Sequence, residues 1–240
     1  MTSHRARRLV LLGVAMVAAA VCVRLGFWQL DRLEQRRALN ARIEAGLAGP
    51  PQPVEALLDA PADEIAFRRV TASGTWDAAH EVLLYGRALD GRPGNHVLTP
   101  LVLGGGRAIV VDRGWVPTDA SGPPMAGEAA AADGPVSVTG TLLPSEDGDG
   151  DEAAGGIVRA VDVAALDGRV PADLVPGRYL LLASQEPAAA APTPAAPPEP
   201  DEGPHLSYAI QWFAFAAIAL VGYVLLARRD RAAAPGFGEG

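Results

Sequence analysis

The chain has 240 residues, of which 49% are hydrophobic, and its 28 acidic and 20 basic residues give a formal net charge of −8. An acidic chain without an interior basic stripe is a poor partner for nucleic acid, so nucleic-acid binding is disfavoured. The single cysteine, Cys22, excludes an internal disulfide framework and any CxxC or CxxCH site. A domain outside the cytoplasm would therefore depend on packing alone.

The first predicted element is a transmembrane helix over residues 9–30, preceded by a cytoplasmic N-terminus of residues 1–8. Arg24 lies near the outer end, where its long side chain can reach the headgroups, and Trp28 suits the interfacial aromatic belt. The alternative is a cleaved signal peptide, because a basic start and small residues at 18–20 fit one. The helical pattern continues past those small residues to Leu47, which favours a retained helix.

Residues 31–204 are predicted to form an extracytoplasmic, mostly antiparallel β domain. Short loops favour antiparallel pairing, since a parallel crossover needs a dozen or more residues. Turns are expected at 90–95 and 104–106, and a short helix at 161–166. The predicted strands are rich in β-branched and aromatic residues between turn signals, and they cover 69–76, 81–87, 96–103, 108–116, 136–143, 156–161 and 179–184.

Three segments are predicted to lack fixed structure. Residues 120–135 and 144–155 are rich in Ala, Gly, Pro and Asp and offer almost nothing to bury. Residues 187–204 are rich in Pro and Ala and are expected to act as a linker back to the membrane, in which residues 192–200 tolerate deletion.

The second transmembrane helix is predicted over residues 205–227, followed by a cytoplasmic tail of residues 228–240. Arginines follow this helix at 228, 229 and 231, and acidic residues precede it. The positive-inside rule then places both termini in the cytoplasm and the acidic central domain outside. The eight residues before the first span are too few for a mitochondrial presequence, so a bacterial plasma membrane is expected.

One face of the second helix suggests a ligand site. A porphyrin suits this face, because an imidazole at the water boundary can ligate iron while the macrocycle lies on aromatic and small side chains. The alternative is an ordinary interfacial belt, in which Tyr and Trp are expected. The residues of this stripe follow one another at intervals of three and four, and they are His205, Tyr208, Trp212, Phe215, Ala219 and Gly222.

Other polar or small residues of the two spans have open interpretations. Gln211 lies inside the second span, where an unpaired amide is costly, and it either bonds to helix one or a partner or is bonded locally. Ala15 and Ala19 form a small-xxx-small face for close helix packing, although this signal is weak in an alanine-rich helix.

In the β domain, His96 and Asp112 resemble a base and its orienting carboxylate, with Arg113 beside them. No serine in an elbow motif accompanies them. Structural hydrogen bonds at a strand end, with a tight turn at Gly114 and Trp115 on the core, are the favoured interpretation, and no catalytic residue is predicted.

Four segments together resemble the surfeit locus 1 family of cytochrome c oxidase assembly factors. The aromatic, Gln, Arg signature of the family corresponds to residues 25–33, and the opening of its second helix to residues 205–213. The most specific match lies in the β domain, from Phe67-Arg68-Arg69-Val70 through residues 94–101 to Val110-Val111-Asp112-Arg113-Gly114-Trp115. A further match is residues 138–143.

The resemblance implies a non-enzymatic assembly factor that holds or hands over haem a while oxidase subunit I matures. It makes His205 the candidate axial ligand of the haem iron, with Tyr208 and Trp212 as further candidate haem contacts. The implied partners are cytochrome c oxidase subunit I, a haem a synthase and the lipid bilayer. The alternatives are a cofactor-free scaffold that binds an oxidase subunit, and an extracytoplasmic enzyme tethered at both ends.

Overall fold

The structure is a computed structural model that describes residues 2–120, 122–148 and 156–232. Its three α-helices are α1 (Thr2–Leu47), α2 (Val163–Asp167) and α3 (His205–Ala232). The described residues divide into two compact units. A helical unit contains residues up to Asn40 together with those from Pro200, and a β unit contains Ala41–Glu199.

The helical unit contains two helices that are long and apolar enough to cross a membrane, over Ala6–Leu47 and His205–Arg229. Their apolar side chains are largely exposed, as a lipid-facing surface requires. Helix α1 continues without a break to Leu47, so the helical pattern predicted beyond the small residues at 18–20 is confirmed.

The described residues of the β unit form nine strands, which include all seven predicted segments. The strand predicted at 69–76 has the predicted bounds, whereas the segment predicted at 156–161 is a strand over two residues only. The predicted turn at 90–95 is confined to Asp90 and Gly91, because the next residues already pair in a strand. The strands are β1 (Gln52–Pro53), β2 (Arg69–Trp76), β3 (Val82–Leu89), β4 (Arg92–Val102), β5 (Arg107–Pro117), β6 (Pro135–Pro144), β7 (Ile157–Val158), β8 (Asp173–Leu174) and β9 (Arg178–Glu186).

Five of these strands form a closed ring in the order β2, β6, β9, β5, β4 and back to β2. Four of the five contacts are antiparallel, as predicted. The exception is the parallel pairing of β9 with β5 at Leu180 and Val111. Strand β3 pairs antiparallel with β4, and the short strands β1, β7 and β8 add parallel pairs. The sheet is therefore mixed.

The main hydrophobic core of the β unit is formed largely by side chains of the five ring strands. It also contains Val54 and Leu57 of a 3-10 helix (Val54–Leu57). The ring-strand members of this cluster are Val70, Ala72, Leu101, Ile109, Val111, Val136, Val138, Leu142, Leu180 and Leu182, all nearly inaccessible to solvent. Closing the ring leaves these strands without a free edge, and their inward side chains supply the packing that a chain without disulfides needs.

Two segments that were predicted to lack structure are partly ordered. In residues 120–135, Met125 is 7% exposed and its backbone N–H donates to Glu81, so the prediction was wrong there. In residues 144–155, the backbone N–H of Glu146 donates to the carbonyl of Val161 and the Ser145 hydroxyl accepts from Val163. The remainder, residues 149–155, lies outside the described part of the chain.

The predicted linker also begins with an ordered piece. Thr193 and Trp115 exchange two backbone hydrogen bonds of 2.7 and 2.9 Å, so residues 187–194, here called the strap, are held to β5 at Thr193. The prediction of a free linker is wrong for the strap. Gly114 permits this contact, because a Cβ there would lie 2.1 Å from the Thr193 carbonyl oxygen and its φ is +117°. Gly114 thus allows a close backbone approach within a continuous strand, in place of the predicted tight turn.

We expect Gly114→Ala to destabilise the β unit by about 2 kcal/mol or more, because the new methyl group would push the strap off β5 and strain the backbone. For a domain of this size that corresponds to a fall of roughly 4–8 °C in the unfolding midpoint. Thermal unfolding of the full chain in detergent measures the difference.

Gly104→Ala is the matched control, because no atom lies within 4 Å of a Cβ built at Gly104. Equal midpoints for the two variants would contradict the docking of the strap.

Candidate functional site

The candidate site lies where α3 begins. The Nδ1 atom of His205 is 2.8 Å from the Oε1 atom of Gln29 on α1. Both side chains are half-buried. The contact joins two segments that are 176 residues apart in the chain, and these are the two helical segments that carry the family resemblance.

Two polar contacts connect α1 to the residues just before His205. The guanidinium of Arg37 donates to both carboxylate oxygens of Glu202, at 2.8 and 3.1 Å. The backbone N–H of Asp201 donates to the side-chain carbonyl of Asn40 at 3.2 Å. The hydrogen bond from Arg37 lowers the pKa of the Glu202 carboxyl. Both members of the ion pair are exposed, so the pair fixes the chain path more than it adds stability.

Below these contacts the helices approach closely at Gly26. A Cβ at this position would lie 2.7 Å from the ring of Phe213, which itself meets Phe27 edge-on with centroids 5.4 Å apart. Leu33 and Ala209 are 5% and 1% exposed. Gln29 lies one turn from both Gly26 and Leu33 on the same face of α1, so close packing positions it beside His205.

The predicted stripe on α3 borders the helix contact and extends to the exposed surface. Tyr208 and Phe215 are 47% and 46% exposed. Trp212 is half-buried and meets Phe215 edge-on at 5.9 Å between centroids. Ala219 and Gly222 are half-buried. One line along α3 therefore contains an imidazole, three aromatic rings and two small residues. Two of its aromatic side chains, Tyr208 and Phe215, are exposed.

The remaining residues of interest in the spans are also placed by the structure. Ala19 is 6% exposed and Ala15 is half-buried, in agreement with a small-residue packing face. The side chain of Gln211 is exposed, and among the described residues it has no hydrogen-bond partner. Gln211 therefore bonds neither to helix one nor locally.

In the β unit, His96 and Asp112 lie together as the sequence suggested. The Nδ1 atom of His96 is 2.8 Å from Oδ2 of Asp112, whose Oδ1 accepts the backbone N–H of Gly114. Asp112 thus stabilises the backbone beside the bulge that β4 and β5 share. In the described part of the chain, the His96 ring has no hydroxyl or thiol partner.

Arg113 belongs to a different cluster, which the sequence did not predict. Its guanidinium donates to Glu81 at 3.1 Å and to the carbonyl of Ala130, and both charged side chains are fully buried. Glu81 also accepts from the hydroxyl of Thr99 and the backbone of Met125. Burial lowers the pKa of Arg113, whereas Glu81 opposes that shift. A buried pair of this kind fixes the position of residues 125–130.

A closed ring of strands in one unit and two long apolar helices in the other define a membrane-associated protein with one β domain. The SURF1 family model matches residues 16–217. The chain belongs to the SURF1 family, a family of oxidase assembly factors. The relatedness predicted from motifs is confirmed.

Two relatives are similar over most of their length and a third over less than half. An uncharacterized SURF1-like protein of Mycobacterium bovis is 32% identical over 229 residues, covering 87% of this chain and 81% of the relative. A SURF1-like protein of Monosiga brevicollis is 28% identical, with 85% and 83% covered. A SURF1-like protein of Rickettsia felis is 28% identical over 104 residues, which is 42% of this chain and 44% of the relative.

The sequence interpretation quoted Gln29 only as part of a motif and gave no role to Arg37 or Glu202. A signal for Gln29 was available, because an amide next to Trp28 at the end of an apolar stretch requires a partner. The Arg37–Glu202 pair left no local signal, since its members are 165 residues apart.

We expect Gly26→Leu to separate the two helices, because a larger side chain cannot fit against Phe213. Cysteines introduced by Arg37→Cys and Glu202→Cys in a Cys22→Ser background measure the separation, since residues 37 and 202 are exposed. The yield of cross-linking by a short bifunctional thiol reagent should fall severalfold.

Gly13→Leu is the control on the same helix, because no atom lies within 4 Å of a Cβ built at Gly13. The packing described here would be refuted by an equal loss of cross-linking in both variants.

Proposed function

We propose that this chain is a non-enzymatic assembly factor that binds haem a at the start of α3 and holds or hands it over while cytochrome c oxidase subunit I matures. The observation that carries this proposal is the open face of α3, which begins at His205 and continues through Tyr208, Trp212 and Phe215. Membership of the SURF1 family supports the oxidase as the target.

The residues at the start of α3 fit a haem ligand. The Nδ1 edge of the His205 ring faces Gln29. At the opposite edge lies Gly203, and even a Cβ built there would be 3.6 Å from Nε2. A side chain at position 203 would therefore contact Nε2, and glycine leaves that space free. Among the described residues Nε2 has no hydrogen-bond partner. Imidazole nitrogen is a common axial ligand of haem iron.

The aromatic residues of α3 suit the macrocycle. Tyr208 and Phe215 expose about half of their surface, and an exposed aromatic face gains free energy when it covers the apolar surface of a porphyrin. In this proposal His205 binds the iron, while Tyr208 and Trp212 contact the ring. Haem a then lies at the level of the headgroups, within reach of a membrane-embedded subunit.

The proposed topology places both termini in the cytoplasm of a bacterial cell and the β unit outside the plasma membrane. The arginines that follow α3, together with the acidic residues before it, support this orientation. A haem a synthase in the same membrane is the proposed donor, and subunit I is the proposed acceptor.

A non-enzymatic role is supported by the polar clusters of the β unit. Asp112 serves the backbone of Gly114, and Glu81 serves Arg113 and Met125. These contacts leave His96 without a group to activate in the described part of the chain. Acid–base catalysis by such a dyad needs a nucleophile or a bound substrate beside the imidazole.

A second candidate function is a cofactor-free scaffold that grips an oxidase subunit. The observation that favours it is Gln211, an exposed amide inside an apolar span. An amide facing lipid is costly, whereas an amide facing a polar group of a partner helix is satisfied.

His205→Ala should lower the haem content of the purified protein about tenfold or more, because alanine offers the iron no ligand and remains compatible with the helix. The absorption spectrum of detergent-purified protein from cells that synthesise haem a provides the measurement. His80→Ala is the matched control, since His80 also has a hydrogen-bonded Nδ1, at 2.8 Å from Asp77.

Trp212→Leu should weaken haem retention without changing membrane insertion, because leucine keeps the apolar area but loses the ring face.

The haem proposal is falsified if His205→Ala contains as much haem as the parent protein. Co-purification of oxidase subunit I without haem would then leave the scaffold as the function.

For the topology, we expect a cysteine at Asp147 to react with an impermeant thiol reagent in intact cells, and a cysteine at Ala6 to react only after permeabilisation. Both positions are exposed, and the background is Cys22→Ser. Ser145 is less suitable, because its hydroxyl is bonded to Val161 and Val163. The reverse labelling pattern would overturn the orientation.

A further inference from the structure

The hydrogen bond between His205 and Gln29 has a chemical consequence for the imidazole. We propose that Gln29 is a positioning residue: its side-chain carbonyl accepts the Nδ1–H of His205 and so keeps a free lone pair on Nε2 for the haem iron. This inference rests on the proposed function. It assigns a role to a residue of α1 that does not itself touch the iron.

A neutral imidazole ring carries one N–H hydrogen, on either Nδ1 or Nε2. A carbonyl oxygen only accepts hydrogen bonds, so Oε1 of Gln29 at 2.8 Å from Nδ1 requires the hydrogen to be on Nδ1. Nε2 then has the lone pair. The other tautomer carries a hydrogen on Nε2, which prevents ligation at that nitrogen.

The contacts around His205 fix the orientation of its ring as well as its tautomer. Gln29 is fixed from below by the close approach of Gly26 to Phe213. The turn before His205 is fixed by the Arg37–Glu202 pair, and the carboxylate of Asp201 accepts the backbone N–H of Gly203. With the Nδ1 edge against Gln29 of α1, the Nε2 edge lies beside Gly203, where a Cβ would be 3.6 Å from Nε2.

Metal-binding histidines commonly donate their second N–H to a carbonyl or carboxylate oxygen, and loss of that partner lowers metal affinity about 10–100-fold. Gln29 supplies such an acceptor oxygen from a neutral amide. A carboxylate in the same place would draw the hydrogen more strongly and make the imidazole a stronger electron donor. The identity of residue 29 therefore sets both the occupancy and the reduction potential of the bound haem.

The first test needs no haem. The ¹⁵N chemical shifts of the imidazole nitrogens of His205, recorded on the full-length protein in detergent at alkaline pH and assigned with His205→Ala, report which nitrogen carries the hydrogen. We expect a protonated Nδ1 and an unprotonated Nε2 in the parent protein. In Gln29→Leu the hydrogen should move towards Nε2, the tautomer that free imidazole side chains favour in water.

The second test titrates the same proteins with haem a. Gln29→Leu should weaken binding about 10–100-fold, and Gln29→Glu should bind haem with a more negative reduction potential. Gln35→Leu is the matched control, because Gln35 is an exposed amide of the same helix that accepts only from Arg32. It should change neither the tautomer nor the affinity.

Three outcomes separate this inference from the function on which it rests. A hydrogen on Nε2 in the parent protein overturns the role of Gln29, whatever the haem content. Unchanged affinity in Gln29→Leu, together with loss of binding in His205→Ala, overturns the role of Gln29 and leaves the haem proposal intact. Unchanged binding in His205→Ala overturns both.

Discussion

Closure of the five-strand ring requires one strand to pair antiparallel along one edge and parallel along the other. Strand β9 is antiparallel to β6 along most of its length and parallel to β5 at Leu180 and Val111. Without the parallel contact, β9 and β5 would each keep a row of unpaired backbone groups. The hydrophobic core is enclosed only when the ring is complete. The stability of a β unit with no disulfide therefore depends on this long-range contact.

Pairing of the consecutive strands β3, β4 and β5 explains the buried charges. Arg113 is on β5 and Glu81 immediately precedes β3, so the two meet only after β3, β4 and β5 are aligned. The pair is fully desolvated. Oε2 of Glu81 accepts from both Arg113 and the Thr99 hydroxyl, and Oε1 accepts from the backbone N–H of Met125. Desolvation makes such a pair poor at adding stability but strict about geometry, because each unmatched group would be costly. It orders residues 125–130, which have little apolar surface of their own.

In the helical unit, a small residue allows the two helices to pack closely. In a membrane there is no hydrophobic force between helices, so close packing and hydrogen bonds must hold them together. Gly26 provides the close approach, and Gln29 with His205 provides the hydrogen bond. One contact thereby serves two ends: it satisfies an amide at the edge of the apolar layer, and it orients an imidazole at the water boundary.

Sequence patterns predict the two apolar helices, the seven main strand segments, the family and the stripe from His205 to Phe215. These depend on local periodicity, on turn residues and on motif order, which are all readable along the chain. The patterns also indicate the His96–Asp112 contact, although not that Asp112 would support the backbone at Gly114. The fold alone reveals the parallel pairing of β9, the docking of the strap at Thr193, and the partners of Gln29 and Arg113. Each of these contacts joins segments that are distant in sequence. Local composition does not indicate such contacts, because they form only when folding brings the two segments together.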